Sequence, residues 1–412
     1  MRRKVIVEKS DRLYHLAPDL GDQFDRLHRR TEAKGLPVVD LSREKPLAEL
    51  EEGLTEEVLR ARREPDAALP GSVSGHIALR RAVARWYSSA EGVTLDPETQ
   101  VVVAPSGEAA IQQLALALLG PDDGACTFDP ADPLHHAATV IAGCPSMRLP
   151  LAPHNGFQPD FAALPVETAE RLKLLVIGYP HTPTAAVASP DTFPTAIQLA
   201  RKYNIIICHD ARLAYASFGE RPRTGFLGER GAVGVGVEIF EIPPPPVPSP
   251  WRLAVVVGDA EVLACLTAAM RATGSAPVTV IQLAAASALY REEQRRRLCT
   301  RVLREHRDVF VEGLKTLGWQ VSTPDATPFL WLGVPPGYSS VRFASLLLRR
   351  AGVRSVPGVQ FGANGEGYVR LCFAVTQENI RAALAGFREL LAERPRLRRQ
   401  LRPRTARRRR RD

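Results

Sequence analysis

Several side chains stand where a sheet-based site would place its chemistry, each directly after or inside a short apolar run. Ligands of open parallel sheets bind beyond the carboxyl ends of the strands, so these positions come first. Ser106 and Gly107 follow QVVVAP and open a helical stretch. Unpaired N–H groups and the helix dipole favour a phosphate there, and a serine at that place is also an ordinary helix cap. Asp210 ends NIIICHDA; a carboxylate at the edge of a buried strand needs a cation or donors to offset its desolvation. Two partners suit it: the neighbouring Arg212 in a structural ion pair, or a protonated ring nitrogen of a bound group. Arg252 immediately precedes LAVVVG, and Arg370 lies in GYVRLCFAV among apolar neighbours. An arginine so placed serves either bidentate anion recognition or a structural ion pair.

The elements that must position these residues are legible from about residue 98 to 290. β-branched runs (TQVVVAP, GACTFDP, LKLLVIGYP, NIIICHDA, GAVGVGVEIF, RLAVVVGD) alternate with helical patterns such as EAAIQQLALALLG, PLHHAATVIAG and DTFPTAIQLARKY. This alternation predicts an α/β fold with a mainly parallel sheet flanked by helices. The C-terminal third reads as α+β: a long arginine-rich helix over about 289–316, short strands at GWQVSTPD, PFLWLGV and GYVRLCFAV, and a closing amphipathic helix near 377–393. The expected organisation is an N-terminal segment 1–50, containing PVVDLS and packing on the small domain; a large domain 51–290; a small domain 291–393; and a disordered tail 394–412.

Composition narrows the class. The chain has 412 residues, 45% of them hydrophobic, enough for a large buried core. No apolar run is long enough for a membrane span, so the expected location is cytoplasmic. Six scattered cysteines without C-x-x-C spacing suit reduced, buried thiols. The net charge is +9, yet the tail alone carries eleven arginines and one aspartate, leaving the body at −1. That tail is a solvated segment or a binder of nucleic acid and other polyanions.

Over about residues 10–393 the order of motifs resembles the class I/II aminotransferases of the fold type I, pyridoxal phosphate-dependent family. The resemblance is carried by SGHIALRRAVARWY, NGFQPD, GYPHTPTAAVAS, ARKYNIIICHDA, WRLAVVVGDAE and VPGVQFGANGEGYVRLCFA. The flavour is that of bacterial LL-diaminopimelate and aspartate aminotransferases. It implies a seven-stranded sheet, a homodimer and a small anionic amino or keto acid ligand. It also implies roles by position: Asp210 for the pyridine nitrogen, Arg252 and Ser106 with Gly107 for the cofactor phosphate, Arg370 for the substrate α-carboxylate.

Departures from the family pattern are as informative. The family reads S-x-S-K before a loop ending in G-W-R, and counting back from Trp251 and Arg252 puts the lysine at Pro244, inside EIPPPPVPSPWR. No lysine occurs between Lys202 and Lys315. Thr182 stands for the N-P-T-G asparagine, Leu213 for the tyrosine three residues past the aspartate, and Asp132 for the aromatic that stacks on the ring. The tyrosine lent across the dimer falls near Pro70, and the substrate loop near the start reads DLSREKP. Since the lysine amine carries the Schiff base and the proton shuttle in such enzymes, no catalytic residue is assigned. The expected protein is a dimeric pseudoenzyme or binding module, with any pyridoxal phosphate bound non-covalently. Two alternatives stand beside it: an enzyme of altered chemistry using pyridoxal or pyridoxamine phosphate with His181 or His209 as base, and a nucleic-acid-associated scaffold working through its arginine tail.

Overall fold

The structure, a computed structural model, describes residues 8–16, 19–45, 47, 54–69, 71–144, 146–219, 225–242 and 253–401. Helix α1 (Gly21–Glu32) and strand β1 (Val39–Asp40) precede α2 (Ile77–Ala90). Seven strands then build one sheet: β2 (Val101–Ala104), β3 (Gly124–Asp129), β4 (Ser146–Pro150), β5 (Leu172–Gly178), β6 (Ile206–Asp210), β7 (Gly236–Ile242) and β8 (Leu253–Gly258). Their order is β2-β8-β7-β6-β5-β3-β4. The run from β7 to β4 is parallel, and β8 is antiparallel to both its neighbours. Helices α3 (Gly107–Leu118), α4 (Pro133–Ile141), α5 (Thr192–Tyr203), α6 (Ala260–Thr273) and α7 (Thr279–Leu289) alternate with or follow these strands.

The strands read as unbroken apolar runs because both faces are covered. Val103, Ile177 and Ile207 pack with Leu79, Tyr87 and Phe226 on one face, while their chain neighbours Val102, Val176 and Cys208 pack with Ala110, Val237 and Leu266 on the other. The seventh strand, β4, is absent from the runs that sequence singled out. It is a half-exposed edge strand of sequence SMRLP, with too few apolar residues to announce itself.

The C-terminal third contains α8 (Glu292–Thr316), β9 (Phe329–Gly333), α9 (Ser340–Leu346), β10 (Val353–Arg354), β11 (Val356–Pro357), β12 (Tyr368–Cys372), α10 (Gln377–Glu393) and α11 (Pro395–Gln400). A third core forms here around Phe310, Phe343, Val369 and Phe387, with Phe24 and Leu41 from the N-terminal segment in the same cluster. Strand β1 pairs in parallel with β10. The expected strand at GWQVSTPD does not form: the Trp319 ring packs edge-on against Phe387 at 5.1 Å, and the Trp319 backbone N–H donates to the Leu314 carbonyl. Nor does residue 394 begin a disordered tail, because α11 continues the fold and Leu397 is buried in the third core. Residues 402–412, with the rest of the arginine block, lie outside the described residues.

Candidate active site

Parallel strands end on a common edge, so Gly178 of β5, Asp210 of β6 and Glu241 near the end of β7 converge there, beside the start of α3. Phe329 of β9 and Arg370 of β12 face them across a cavity of about 180 Å³. Asp132, His135, His181, Thr182 and Leu213 complete much of its wall. The two halves are tied by Asp129, at the end of β3, which accepts the N–H groups of Ala363 and Asn364 at 3.1 and 3.0 Å.

Asp210 is buried and fully partnered. Arg212 grips it with a fork, Nε to Oδ1 at 2.9 Å and Nη2 to Oδ2 at 2.8 Å, and His135 Nε2 lies 2.8 Å from Oδ2. The same guanidinium donates to Glu108 at 2.7 Å and Asp132 at 3.0 Å. Burial alone would raise the Asp210 carboxyl; the Arg212 charge and the His135 hydrogen bond outweigh it and hold the group far below the usual carboxylate range. Burial likewise opposes the charge on Arg212, and Asp210 and Asp132 more than restore it. Asp132, His135 and Asp210 each bring a ligand atom within 4.8 Å of the others, a spacing that suits a cation. Here Arg212 supplies that positive charge. Of the two partners considered for Asp210, the structure holds the ion pair. Asp132 likewise faces this guanidinium and caps α4 through the Leu134 N–H.

The start of α3 is also taken. Ser106 is its N-cap, accepting the Ala109 N–H at 3.1 Å, while the Gly107 N–H donates to Glu241 Oε1 at 3.2 Å. The aliphatic stem of Arg212 runs over Gly107 so closely that a Cβ there would collide with its Cδ.

Arg370 has a different environment. Its guanidinium lies between the rings of Phe329 and Phe361, 3.9 and 4.7 Å from their centroids. Nη1 donates to Thr182 Oγ1 at 3.1 Å and Nη2 to the Ser42 carbonyl at 3.2 Å, whereas the buried Nε has no partner. Among the described residues no carboxylate forms a salt bridge with it. Burial accordingly pulls its proton affinity below the usual arginine value.

The two candidate histidines separate. His181 lines the cavity, with Nδ1 2.7 Å from Thr184 Oγ1, and burial lowers its pKa to about 3. That makes it a weak proton acceptor. His209 points to the opposite face of β6 from Asp210, because strand side chains alternate. Its two nitrogens contact Glu238 at 2.8 Å and the Tyr179 carbonyl at 2.9 Å, which excludes it as a base in the cleft. Pro244, Arg252 and Pro70 lie outside the described residues. Reading by position missed Glu241, Glu108 and His135; the available signal was a buried-strand glutamate directly before the proline run.

Residues 37–236 and 249–387 match the family Aminotransferase class I and II. The chain belongs to that family. Pro243 to Pro248 of the proline run fall in the interval that the match leaves uncovered. The chain is 36% identical over 382 residues to an LL-diaminopimelate aminotransferase of Syntrophobacter fumaroxidans, covering 93% of this chain and 98% of the relative. A protein of the same name from Moorella thermoacetica is 32% identical over 94% of this chain and 99% of its own. Among solved structures, substrate-bound BacF from Bacillus subtilis superposes with a TM-score of 0.88 at 26% identity, over 93% of this chain and 98% of that one. A mutant Thermus thermophilus aspartate aminotransferase, 24% identical with a TM-score of 0.83 over 94% of this chain and all of its own, shares the fold.

These relatives correct the functional expectation. A pseudoenzyme or binding module that has left transamination was inferred from Pro244, yet near-full-length relatives at 32–36% identity bear the name of a working aminotransferase. Family membership implies pyridoxal phosphate as cofactor. The described cleft does not fit it as it stands. A pyridinium nitrogen has no free oxygen on Asp210, the Gly107 N–H already carries a carboxylate, and among the described residues no lysine lines the cavity.

Proposed function

We propose that the protein is an aminotransferase-family enzyme that takes a small amino or keto acid and holds its carboxylate on Arg370. The observation that carries this reading is the state of that side chain. It is a cation at a cavity wall, clamped between two rings, with an unpartnered buried Nε–H and no ion pair among the described residues. A half-buried charge of that kind is costly unless an anion meets it. Thr182 and the Ser42 carbonyl each take one N–H and fix the plane of the guanidinium. The Nε–H and the remaining Nη–H groups suit a planar carboxylate, for which arginine is the matching donor. In this reading Thr182 positions Arg370, and the sandwich of Phe329 and Phe361 keeps water from its faces.

The relatives' name supplies the first substrate to try. Purified protein supplied with pyridoxal phosphate is expected to move the amino group of LL-diaminopimelate, aspartate or glutamate to a keto acid, followed by mass analysis of isotope-labelled product. Arg370→Ala should abolish the transfer and weaken keto-acid binding. No transfer with any of these donors, together with keto-acid binding that is indifferent to Arg370→Ala, would overturn the reading. We place the protein in the cytoplasm as a homodimer.

A further inference from the structure

We infer that Arg212 and Glu241 form an internal lock that duplicates the two charges of the cofactor and closes the cleft to it until both side chains move away. Two contacts support this, and they meet at Gly107, under the Arg212 stem. At one, the Arg212 fork occupies both oxygens of Asp210, so a cation already stands where a ring nitrogen would seek its counter-charge. At the other, a Glu241 oxygen sits on the Gly107 N–H, so an anion already stands at the helix start where a phosphate would bind.

The lock is built, not incidental. Arg212 satisfies three carboxylates at once, Asp210, Asp132 and Glu108, and its stem fits over α3 only because residue 107 has no Cβ. A phosphate arriving at Gly107 finds that N–H already taken by the Glu241 carboxylate and must displace it. A protonated ring arriving at Asp210 must displace a bidentate guanidinium, the stronger of the two donors for a carboxylate. Asp132 and Glu108 are then left without their cation, which adds to the cost of opening.

The inference is tested by binding, with no turnover in the readout, so its failure is distinguishable from failure of the functional reading. Pyridoxal phosphate is titrated into wild type, Arg212→Ala, Glu241→Gln and the double variant, following absorbance and equilibrium dialysis, with inorganic phosphate as a second probe. The double variant is expected to bind pyridoxal phosphate at least 100-fold more tightly than wild type, and Glu241→Gln alone to gain affinity for phosphate. Equal affinity across the four proteins overturns the lock. If a variant fails to fold by circular dichroism, wild type still decides. Saturation at low micromolar pyridoxal phosphate overturns the proposal, and weak binding that leaves the melting temperature unchanged supports it.

Discussion

At the residue scale, two arginines with one chemistry are put to opposite uses by their surroundings. Arg212 is compensated three times over, whereas Arg370 faces the cavity with donors to spare. Arg370→Lys tests whether the fork matters beyond the charge. Lysine keeps the charge but loses the planar pair of donors and the stacking on Phe329 and Phe361. Loss of a charge-assisted hydrogen bond costs about 1.5–3 kcal/mol. The KM for the amino or keto acid is therefore expected to rise roughly 10- to 150-fold, with a smaller change in kcat. Steady-state kinetics check this, and an unchanged KM would remove Arg370 from carboxylate binding.

At the element scale, the back face of the sheet is tied to α2 by a buried network. His209 and Glu238 are register partners on β6 and β7, and Tyr87 of α2 donates to Glu238 at 2.6 Å. His209→Ala leaves the buried Glu238 carboxylate without its imidazole partner, a loss of about 1–3 kcal/mol in urea unfolding. Its pH dependence has a definite sign. Burial would raise the Glu238 carboxyl, and hydrogen bonding and charge from His209, with help from Tyr87, lower it below its ordinary value. The unfolded chain therefore takes up the proton first as pH falls. This contribution is full above the ordinary glutamate pKa of about 4.3 and drains away as pH drops toward the lower folded value. In His209→Ala that slope should flatten, which unfolding midpoints measured from pH 7 to pH 3 will show.

At the scale of the whole molecule, the site exists because two cores meet. One half of the cleft belongs to the seven-stranded sheet, the other to the antiparallel set β11-β12-β9, and the Asp129 clamp on Ala363 and Asn364 holds them together. Among the described residues, no helix is long and apolar enough to cross a membrane. The homodimer proposed above predicts twice the 45.1 kDa chain mass by sedimentation equilibrium at micromolar concentration. A monomer under those conditions would refute it.

Composition and periodicity were enough for the α/β class, for six of the seven central strands and for the closing helix at Gln377–Glu393, because buried parallel strands and amphipathic helices write their burial into consecutive residues. Edge strand β4 escaped since half-exposed residues need not be apolar. The place of Ser106 and Asp210 just beyond or at strand ends was legible too, whereas Thr182 entered through the family resemblance and Arg370 sits on antiparallel β12. What those side chains contact was not. Glu241 reaches Gly107 across 134 positions of chain, Arg212 reaches Glu108 across 104, and Arg370 reaches Thr182 across 188. Such pairings depend on register and on the direction each side chain takes from its strand, which no local pattern encodes. Tertiary structure alone therefore decided which of the two partners open to Asp210 holds it, and that the Arg370 Nε meets no partner among the described residues.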